Sequence, residues 1–525
     1  MDADVLIVGA GPTGLMLANQ LVRRGVRVLI IDRHAGPSLQ TRALGVQART
    51  LEIYQKLSIV ARALQLGKIA TGANIWAQGR RTARVPLGDA GKSVTPYPYI
   101  LILGQDDNER IMGEKLNELG VSVQWNTELV GITEEPGKIV ATLKLPDGTS
   151  RETTAAWVGG CDGAHSAVRE LNGIGFPGAP YEHVFFVADV DATGNMVPDE
   201  VNVYLLRESF HLLFPMRGKD HWRVVGIVPE ALRDREGLTF EAVAPWLLRE
   251  ADAGLLFKAC SWFSTYRIHH RSASRFRKDR CFLLGDAAHI HSPVGAQGMN
   301  TGLQDAYNLA WKLGLVVKGQ AEAALLDTYE EERVPVAQRL LNTTDRAFKL
   351  VVSGNWLAGL LRTKILARVA AFALGISWIQ NLAFRTVSQT GIHYRNSSLS
   401  QTEESLPKAA PRAGDRFPWV RLRLQSTGPV EDLFEKLDDL HFHLLVIGQP
   451  VPAEGSLNLG DLLRAHLIPA NPVNDAELAR VNIAGPCFYL LRPDGHVGLC
   501  GARIDAIAVK RYVLERLHMV VEAAV

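Results

Sequence analysis

Three glycines in the pattern Gly9-x-Gly11-x-x-Gly14 stand between a continuous apolar run, residues 4–8, and a helical pattern over residues 15–24. An unbroken apolar run reads as a strand buried on both faces. The first glycine allows a tight turn, the second lets a pyrophosphate approach the backbone, and the third lets helix and strand pack closely. A phosphate there meets the unpaired N–H groups and positive dipole end of the helix. A second apolar run over residues 26–31 ends at Asp32, whose carboxylate can accept hydrogen bonds from ribose hydroxyls. Strand, turn, helix and strand form one βαβ unit suited to a dinucleotide.

Two later segments belong with this unit. Trp157 to Arg169 carries Asp162-Gly163 at a strand-to-helix junction. Asp279 to His289 carries Gly285-Asp286 and runs into Ser292-Pro293-Val-Gly295-Ala-Gln-Gly298-Met299-Asn300-Thr-Gly302-Leu-Gln-Asp305. There is no second GxGxxG and no CxxxxC pair after the first, which speaks against the disulfide-reductase class of flavin enzymes. His269-His270 and His441-x-His443 have no cysteine or acid at ligand spacing, so no metal site is expected.

The elements that must hold these motifs fit a chain of 525 residues, long enough for three or so domains. Hydrophobic residues make up 47% and charged residues 21%, a globular balance. A formal net charge of +2 lacks the basic excess of a nucleic-acid binder. Five scattered cysteines suit a reducing cytoplasm. No secretory signal is visible, and the apolar stretch 350–384 is broken by Arg362, Lys364 and Arg368, so it reads as packed helices without stable membrane insertion. Strand-like runs over 184–190, 201–206, 211–215 and 222–228 predict an antiparallel sheet inserted in the nucleotide-binding fold. Residues 401–415 read as a linker. Beyond it a strand at 441–447, a hairpin around Arg492-Pro-Asp-Gly495 and a helix over 506–517 predict a further α/β unit.

Taken together, the three motifs in this order and spacing resemble the single-component FAD-dependent aromatic hydroxylases typified by para-hydroxybenzoate hydroxylase and phenol hydroxylase. The resemblance is strong over residues 1–345 and looser over 415–525. It implies an α/β fold: a Rossmann-like FAD-binding domain in two parts (1–180 and 276–400, the latter with a helical segment), an antiparallel β-sheet substrate domain (181–275), and a C-terminal thioredoxin-like domain (401–525) lacking CxxC. It implies that Gly9, Gly11, Thr13 and Gly14 contact the FAD pyrophosphate and that Asp32, where relatives more often carry Glu, holds the adenosine ribose beside Arg33. Arg42 and Gln105 would reach the cofactor, Val130 the adenine, and Asp286 the ribityl chain. Asp162 would support both cofactor and nicotinamide regions, while Met299 and Asn300 would offer backbone N–H groups to the flavin's pyrimidine edge.

The same resemblance implies that NADPH or NADH reduces FAD, and that O2 then forms a flavin C4a-hydroperoxide which hydroxylates a phenolic or polycyclic aromatic substrate. Substrate contacts would come from His211, Phe214, Pro293 and Gly295, with Arg207 and Phe210 nearby. His211 is either a base or hydrogen-bond partner for the phenol or an ordinary strand histidine; no other protein base suggests itself. Baeyer–Villiger or epoxidising chemistry on the same scaffold, or a non-catalytic flavin protein that sequesters an intermediate, are the alternatives. A homodimer is common in the family.

Overall fold

The computed structural model describes residues 1–38, 43–206, 209–251, 254–290, 297–352, 377–403, 406–425, 427–453, 457 and 459–520. Its first layer is a seven-stranded sheet whose parallel core runs Cys281–Leu283, Ser150–Gly160, Ala3–Val8 and Val28–Ile31. An antiparallel meander, Glu128–Glu135 and Lys138–Lys144, extends from Ser150–Gly160. Helices Pro12–Arg23 and Gly298–Val317 pack on each other beside this sheet. Where the parallel strands pair, at Val5–Val8, Ile30–Ile31, Trp157–Gly160 and Cys281–Leu283, they are apolar and buried because both faces are covered. Leu145-Pro-Asp-Gly148 makes the expected turn, with Gly148 at φ +83° donating to the Leu145 carbonyl at 2.9 Å.

The second layer is an eight-stranded sheet. Its order is His289–Ile290, Leu256–Ser272, Gly178–Thr193, His221–Ile227, Phe210–Pro215, Val201–Leu205, Ala73–Ala77 and Arg80–Val85. The four expected strand runs all lie here. The pair Ala73–Ala77 and Arg80–Val85 joins from the first part of the chain, through a parallel match of Ala73–Ala77 to Val201–Leu205 that local pattern does not reveal. Phe240, Val243 and Leu247 of helix Phe240–Ala251 cover one face.

The C-terminal part is a five-stranded mixed sheet. Phe442–Ile447 pairs in parallel with Leu463–Ile468 and antiparallel with Cys487–Leu491, which pairs with Val497–Gly501. The expected linker differs from the structure. Gln401–Thr402 forms an edge strand beside Val497–Gly501, and the Thr402 hydroxyl accepts from the Ala413 N–H at 3.0 Å. Asp415, at its end, accepts from Arg395 at 2.6 Å and from the Arg412 N–H at 3.0 Å. The expected helices of 350–384 lie mostly outside the described residues; Ser377–Val387 is helical, with Phe384 buried. Among the described residues no helix is long and apolar enough to cross a membrane.

Buried ion pairs bind the C-terminal part to the rest. Glu52 accepts from Arg416, from Arg49 at 3.0 Å and from the Thr95 hydroxyl at 2.7 Å. Glu332 accepts from Arg492 at 2.5 Å and from Lys312 at 2.7 Å. Burial alone would push the Glu332 carboxyl up, but Arg492 and Lys312 outweigh it and hold it near a pKa of about 2. Because that lies below the ordinary 4.5, the pair stabilises the fold fully above pH 4.5 and loses its contribution as pH falls toward 2. Glu332→Gln leaves buried Lys312 without a counter-ion and Arg492 with Asp494 alone, and should cost about 3–5 kcal/mol at neutral pH. Thermal unfolding from pH 7 down to 3 should show a lower Tm for the variant at pH 7 and a gap that narrows toward pH 3.

Candidate cofactor and active site

The parallel register aligns the strand ends. Val8 sits opposite both Gly160 and Ile31, and Gly160 opposite Leu283. The residues that follow, Gly9, Asp32, Cys161-Asp162 and Gly285-Asp286, therefore come out along one edge. In open α/β sheets the crevice at the carboxyl ends of the strands is where ligands bind.

The glycines there divide by role. A Cβ on Gly14 would stand 1.9 Å from the Gly9 carbonyl oxygen, and one on Gly9 would stand 2.4 Å from the Cys161 carbonyl oxygen. Both are needed for packing. A Cβ on Gly11 would meet no protein atom within 4 Å. Nothing in the fold requires glycine at 11, yet it sits where a pyrophosphate would approach, at the start of helix Pro12–Arg23, which no side chain caps. That open cradle fits a dinucleotide. On Gly302 a Cβ would lie 2.5 Å from the Thr13 hydroxyl and 3.0 Å from the Gly285 Cα, so three distant segments close around Thr13.

Asp32 is pre-oriented. Its Oδ2 accepts from the Ala10 N–H at 2.7 Å, and its Oδ1 from the His34 N–H at 2.8 Å with the His34 ring at 2.7 Å. Carboxylate lone pairs remain for ribose hydroxyls. Arg33 is exposed beside it. Val130 is 44% exposed on the strand that begins just past Thr127, whose N–H donates to the Asp32 carbonyl. Gln105 starts helix Gln105–Glu118 and donates from Nε2 to Glu109 at 2.8 Å, while Glu109 also accepts from the Ser38 N–H at 2.9 Å. Burial pushes the Glu109 carboxyl up. Asp162 turns back into its own loop, accepting from the Ser166 hydroxyl at 2.5 Å and the Val168 N–H at 3.2 Å, and burial raises its pKa.

Helix Gly298–Val317 brings its first turn to the same region. The side chains of Met299 and Asn300 point into the protein. Asn108 Nδ2 lies 3.1 Å from the Met299 sulfur; Asn300 donates to the Gly45 carbonyl at 2.7 Å and accepts from the Gln47 N–H and the Thr50 hydroxyl. Their backbone N–H groups, in the first helical turn, are what they can offer to a ligand. The Gly285-Asp286 turn is held by Asp305. Asp305 accepts from the Gly285 N–H at 3.0 Å, from His289 Nε2 at 2.7 Å and from Arg333 at 2.6 Å. Burial would raise the Asp305 carboxyl, but Arg333 and His289 hold it below its usual range.

The eight-stranded sheet supplies the other wall. Phe210, Leu212 and Phe214 alternate with His211 and Leu213 along one strand. Phe214 faces Leu44 and Ile102, next to the Gly45–Thr50 segment and Gln105. Phe210 and Leu212 share that face with Phe185, Leu205, Ile227 and Tyr266. His211 is a correction. One residue out of phase, it lies on the opposite face, over Gly226 and 6.0 Å from the Phe186 ring, in an aromatic row that continues through Phe263 to Phe240. Burial pulls its pKa down to about 3, so it is neutral, and it sits on the face away from Leu44 and Ile102. Arg42, Arg207, Pro293 and Gly295 lie outside the described residues.

Sequence reading missed His34, Glu109, Asp305 as an organiser, and Arg333. Glu109 had a signal: it stands four residues after Gln105, on the same helical face. So did Asp305, an acid inside an apolar helix. Arg333 had none, since its role depends on a contact across 28 residues.

Residues 2–344 match a family described as FAD binding domain. The chain is 36% identical to a 6-methylpretetramide 4-monooxygenase of Streptomyces rimosus, over 99% of this chain and 94% of that one. It is 33% identical to a pentachlorophenol 4-monooxygenase of Sphingobium chlorophenolicum, over 80% and 76%. Among solved structures it is similar to a ternary complex of aklavinone-11 hydroxylase with FAD and aklavinone, with a TM-score of 0.78, 26% identity and coverage of 98% and 99%.

The two kinds of glycine should respond differently. Gly11→Ala should leave Tm nearly unchanged and weaken FAD binding by at least about tenfold, or ~1.4 kcal/mol, read by flavin fluorescence titration. Gly14→Ala forces backbone atoms apart and should destabilise the fold by about 1–3 kcal/mol, read as a fall in Tm.

Proposed function

We propose a reaction for a chain that belongs to the FAD-binding monooxygenase family: hydroxylation of a polycyclic phenolic ring, of the size of a polyketide. The enzyme is a flavin-dependent aromatic monooxygenase with FAD as cofactor and NAD(P)H as reductant. The observation that carries the reading is the alignment of the Gly9–Gly14 turn, Asp32 and the Gly285-Asp286 turn at one strand edge, with the apolar face bearing Phe214 packed against the adjoining Leu44 and Ile102.

Each residue has a defined task. Gly11 and the helix behind it receive the pyrophosphate, Asp32 the ribose, and the first turn of Gly298–Val317 the ring's pyrimidine edge. Asp305 holds the Gly285-Asp286 turn in place for the ribityl chain. FAD, when bound and reduced by NAD(P)H, would activate O2, of which one atom enters the substrate ring and the other leaves as water. The protein's part is to orient the ring and exclude water, and the apolar strip Phe210, Leu212 and Phe214 suits both. With His211 neutral and on the far face, no described side chain on that strand serves as a base.

The names of the relatives support the substrate class: one is a 6-methylpretetramide 4-monooxygenase by name, and one similar structure holds aklavinone. The order Leu463–Ile468, Phe442–Ile447, Cys487–Leu491, Val497–Gly501 supports reading 401–525 as a thioredoxin-like domain, and with no CxxC we assign it a packing role. The divisions at 180, 275 and 400 go with this reading. We place the enzyme in the cytoplasm, in keeping with five cysteines that form no disulfide. The dimer that the family resemblance implies is part of the same reading, and light scattering reads it.

NAD(P)H consumption by the FAD-loaded protein, with a panel of naphthols, anthrols and tetracyclic polyketide phenols, tests the function. Stimulated consumption with a product one oxygen heavier is expected. Lactone or epoxide products would instead establish the alternative chemistry, and FAD binding without turnover of any compound would favour a non-catalytic role. Phe214→Trp should lower kcat/KM for a tetracyclic substrate by roughly 10- to 100-fold, with a smaller change in FAD affinity, because added bulk at this wall acts chiefly on substrate fit.

A further inference from the structure

Helix Ser377–Val387 ends in a turn where Gln389 adopts a left-handed conformation, φ +59°. The position just past a helix end favours glycine, since a Cβ there crowds the backbone. Gln389 is moreover buried, at 3% exposure. A strained, buried polar residue points to a task for its side chain.

The amide is engaged on both atoms. Nε2 donates to the Thr301 hydroxyl at 3.0 Å and to the Gln297 carbonyl at 3.3 Å. Oε1 accepts from Gln304 Nε2 at 2.6 Å, and that same Nε2 reaches the Asn300 carbonyl at 3.3 Å. Gln297 is the residue that opens helix Gly298–Val317, and the other partners lie in its first two turns. Nearby contacts reinforce the grip. Gln297 Nε2 donates to the Thr386 carbonyl at 3.5 Å, and the Arg49 N–H donates to the Ser388 carbonyl at 3.2 Å. On the opposite side the Asn300 side chain ties the same turn to Gly45, Gln47 and Thr50. The turn is thus clamped between two segments far apart in sequence.

We propose that Gln389 is a positioning residue of the flavin site, which fixes the Met299–Asn300 backbone N–H groups in place for the ring's pyrimidine edge. The proposal rests on the reading that this turn receives that edge. Donors there stabilise negative charge on the reduced ring, so their placement tunes how readily it accepts electrons. Gln389 acts through the helix turn, not on substrate. A loosened turn should weaken FAD binding, lower the flavin midpoint potential and reduce kcat, with little change in the substrate KM.

Two variants separate the amide from the strain. Gln389→Gly relieves the backbone and deletes the amide. Gln389→Met keeps the volume and the strain and also deletes the amide. The full chain is compared with each variant, with and without FAD, by hydrogen exchange over residues 298–304, FAD titration and flavin potentiometry. Both variants should exchange these amides at least about tenfold faster. They should bind FAD about fivefold or more weakly and show a lower potential, a difference of roughly 1 kcal/mol in affinity. Gln389→Gly sets the relieved backbone strain against the lost amide bonds and should lower Tm less than Gln389→Met does. FAD uptake with parent-like exchange and potential in Gln389→Gly would overturn the proposal alone. Failure of the parent chain to bind FAD would overturn the flavin reading and the proposal together, and the exchange data on the cofactor-free chain would still show whether the brace exists.

Discussion

The structure depends on three parallel pairings in register. Because Val8, Ile31, Gly160 and Leu283 end level with one another, four turns rich in glycine and aspartate are delivered to a single edge. That edge can form only if the backbones touch. Gly9 against Cys161, Gly14 against Gly9, and Gly302 against Thr13 and Gly285 leave no room for a β-carbon. Gly11 stands apart, since the space it leaves open belongs to a ligand and not to the protein. The chemistry of the site is therefore prepared by packing: the same contacts that close the core leave a helix N-terminus and an oriented carboxylate facing outward.

The remaining elements hold two walls to that edge. One is the sheet face with Phe210, Leu212 and Phe214, which meets the cofactor segments through Leu44 and Ile102. The other is the first turn of Gly298–Val317, clamped from both sides by amides. Asp305 connects them to the deeper ion network, since it binds the Gly285 turn and Arg333 together, and Arg333 reaches the Tyr394 hydroxyl at 2.8 Å. The Tyr394 ring lies 4.4 Å from that of His496 in the C-terminal part. Buried cations pair with Glu52 and Glu332 at this junction, beside an apolar seam in which Trp311, Leu315 and Leu325 pack with Phe442, Leu444 and Phe488 of the C-terminal sheet.

The nucleotide-binding half was legible in the sequence because its demands are local. A turn that needs three glycines, and a strand that must end in an acid, leave marks at fixed spacing. The middle sheet was legible in its own four strands from alternation, but not in Ala73–Ala77 and Arg80–Val85, whose membership is decided by a pairing more than a hundred residues away. His211 shows the limit of reading a strand without its phase: side chains alternate, and a shift of one residue moves a histidine from the cofactor side to the far side. Glu109 and Asp305 sat inside recognisable patterns, while Arg333 and Gln389 act through contacts that only the folded chain creates. Residues 401–415 read as a linker by composition, yet Gln401–Thr402 pair with the edge of the C-terminal sheet, a contact made across about a hundred residues.

A crystal structure of the FAD complex tests the central claim most directly. The account predicts the pyrophosphate over Gly11, the adenosine ribose on Asp32, and the isoalloxazine ring between the Met299–Asn300 backbone and the Phe214 face of the sheet. A flavin ring on the His211 face, or a pyrophosphate away from the Gly9–Gly14 turn, would contradict it.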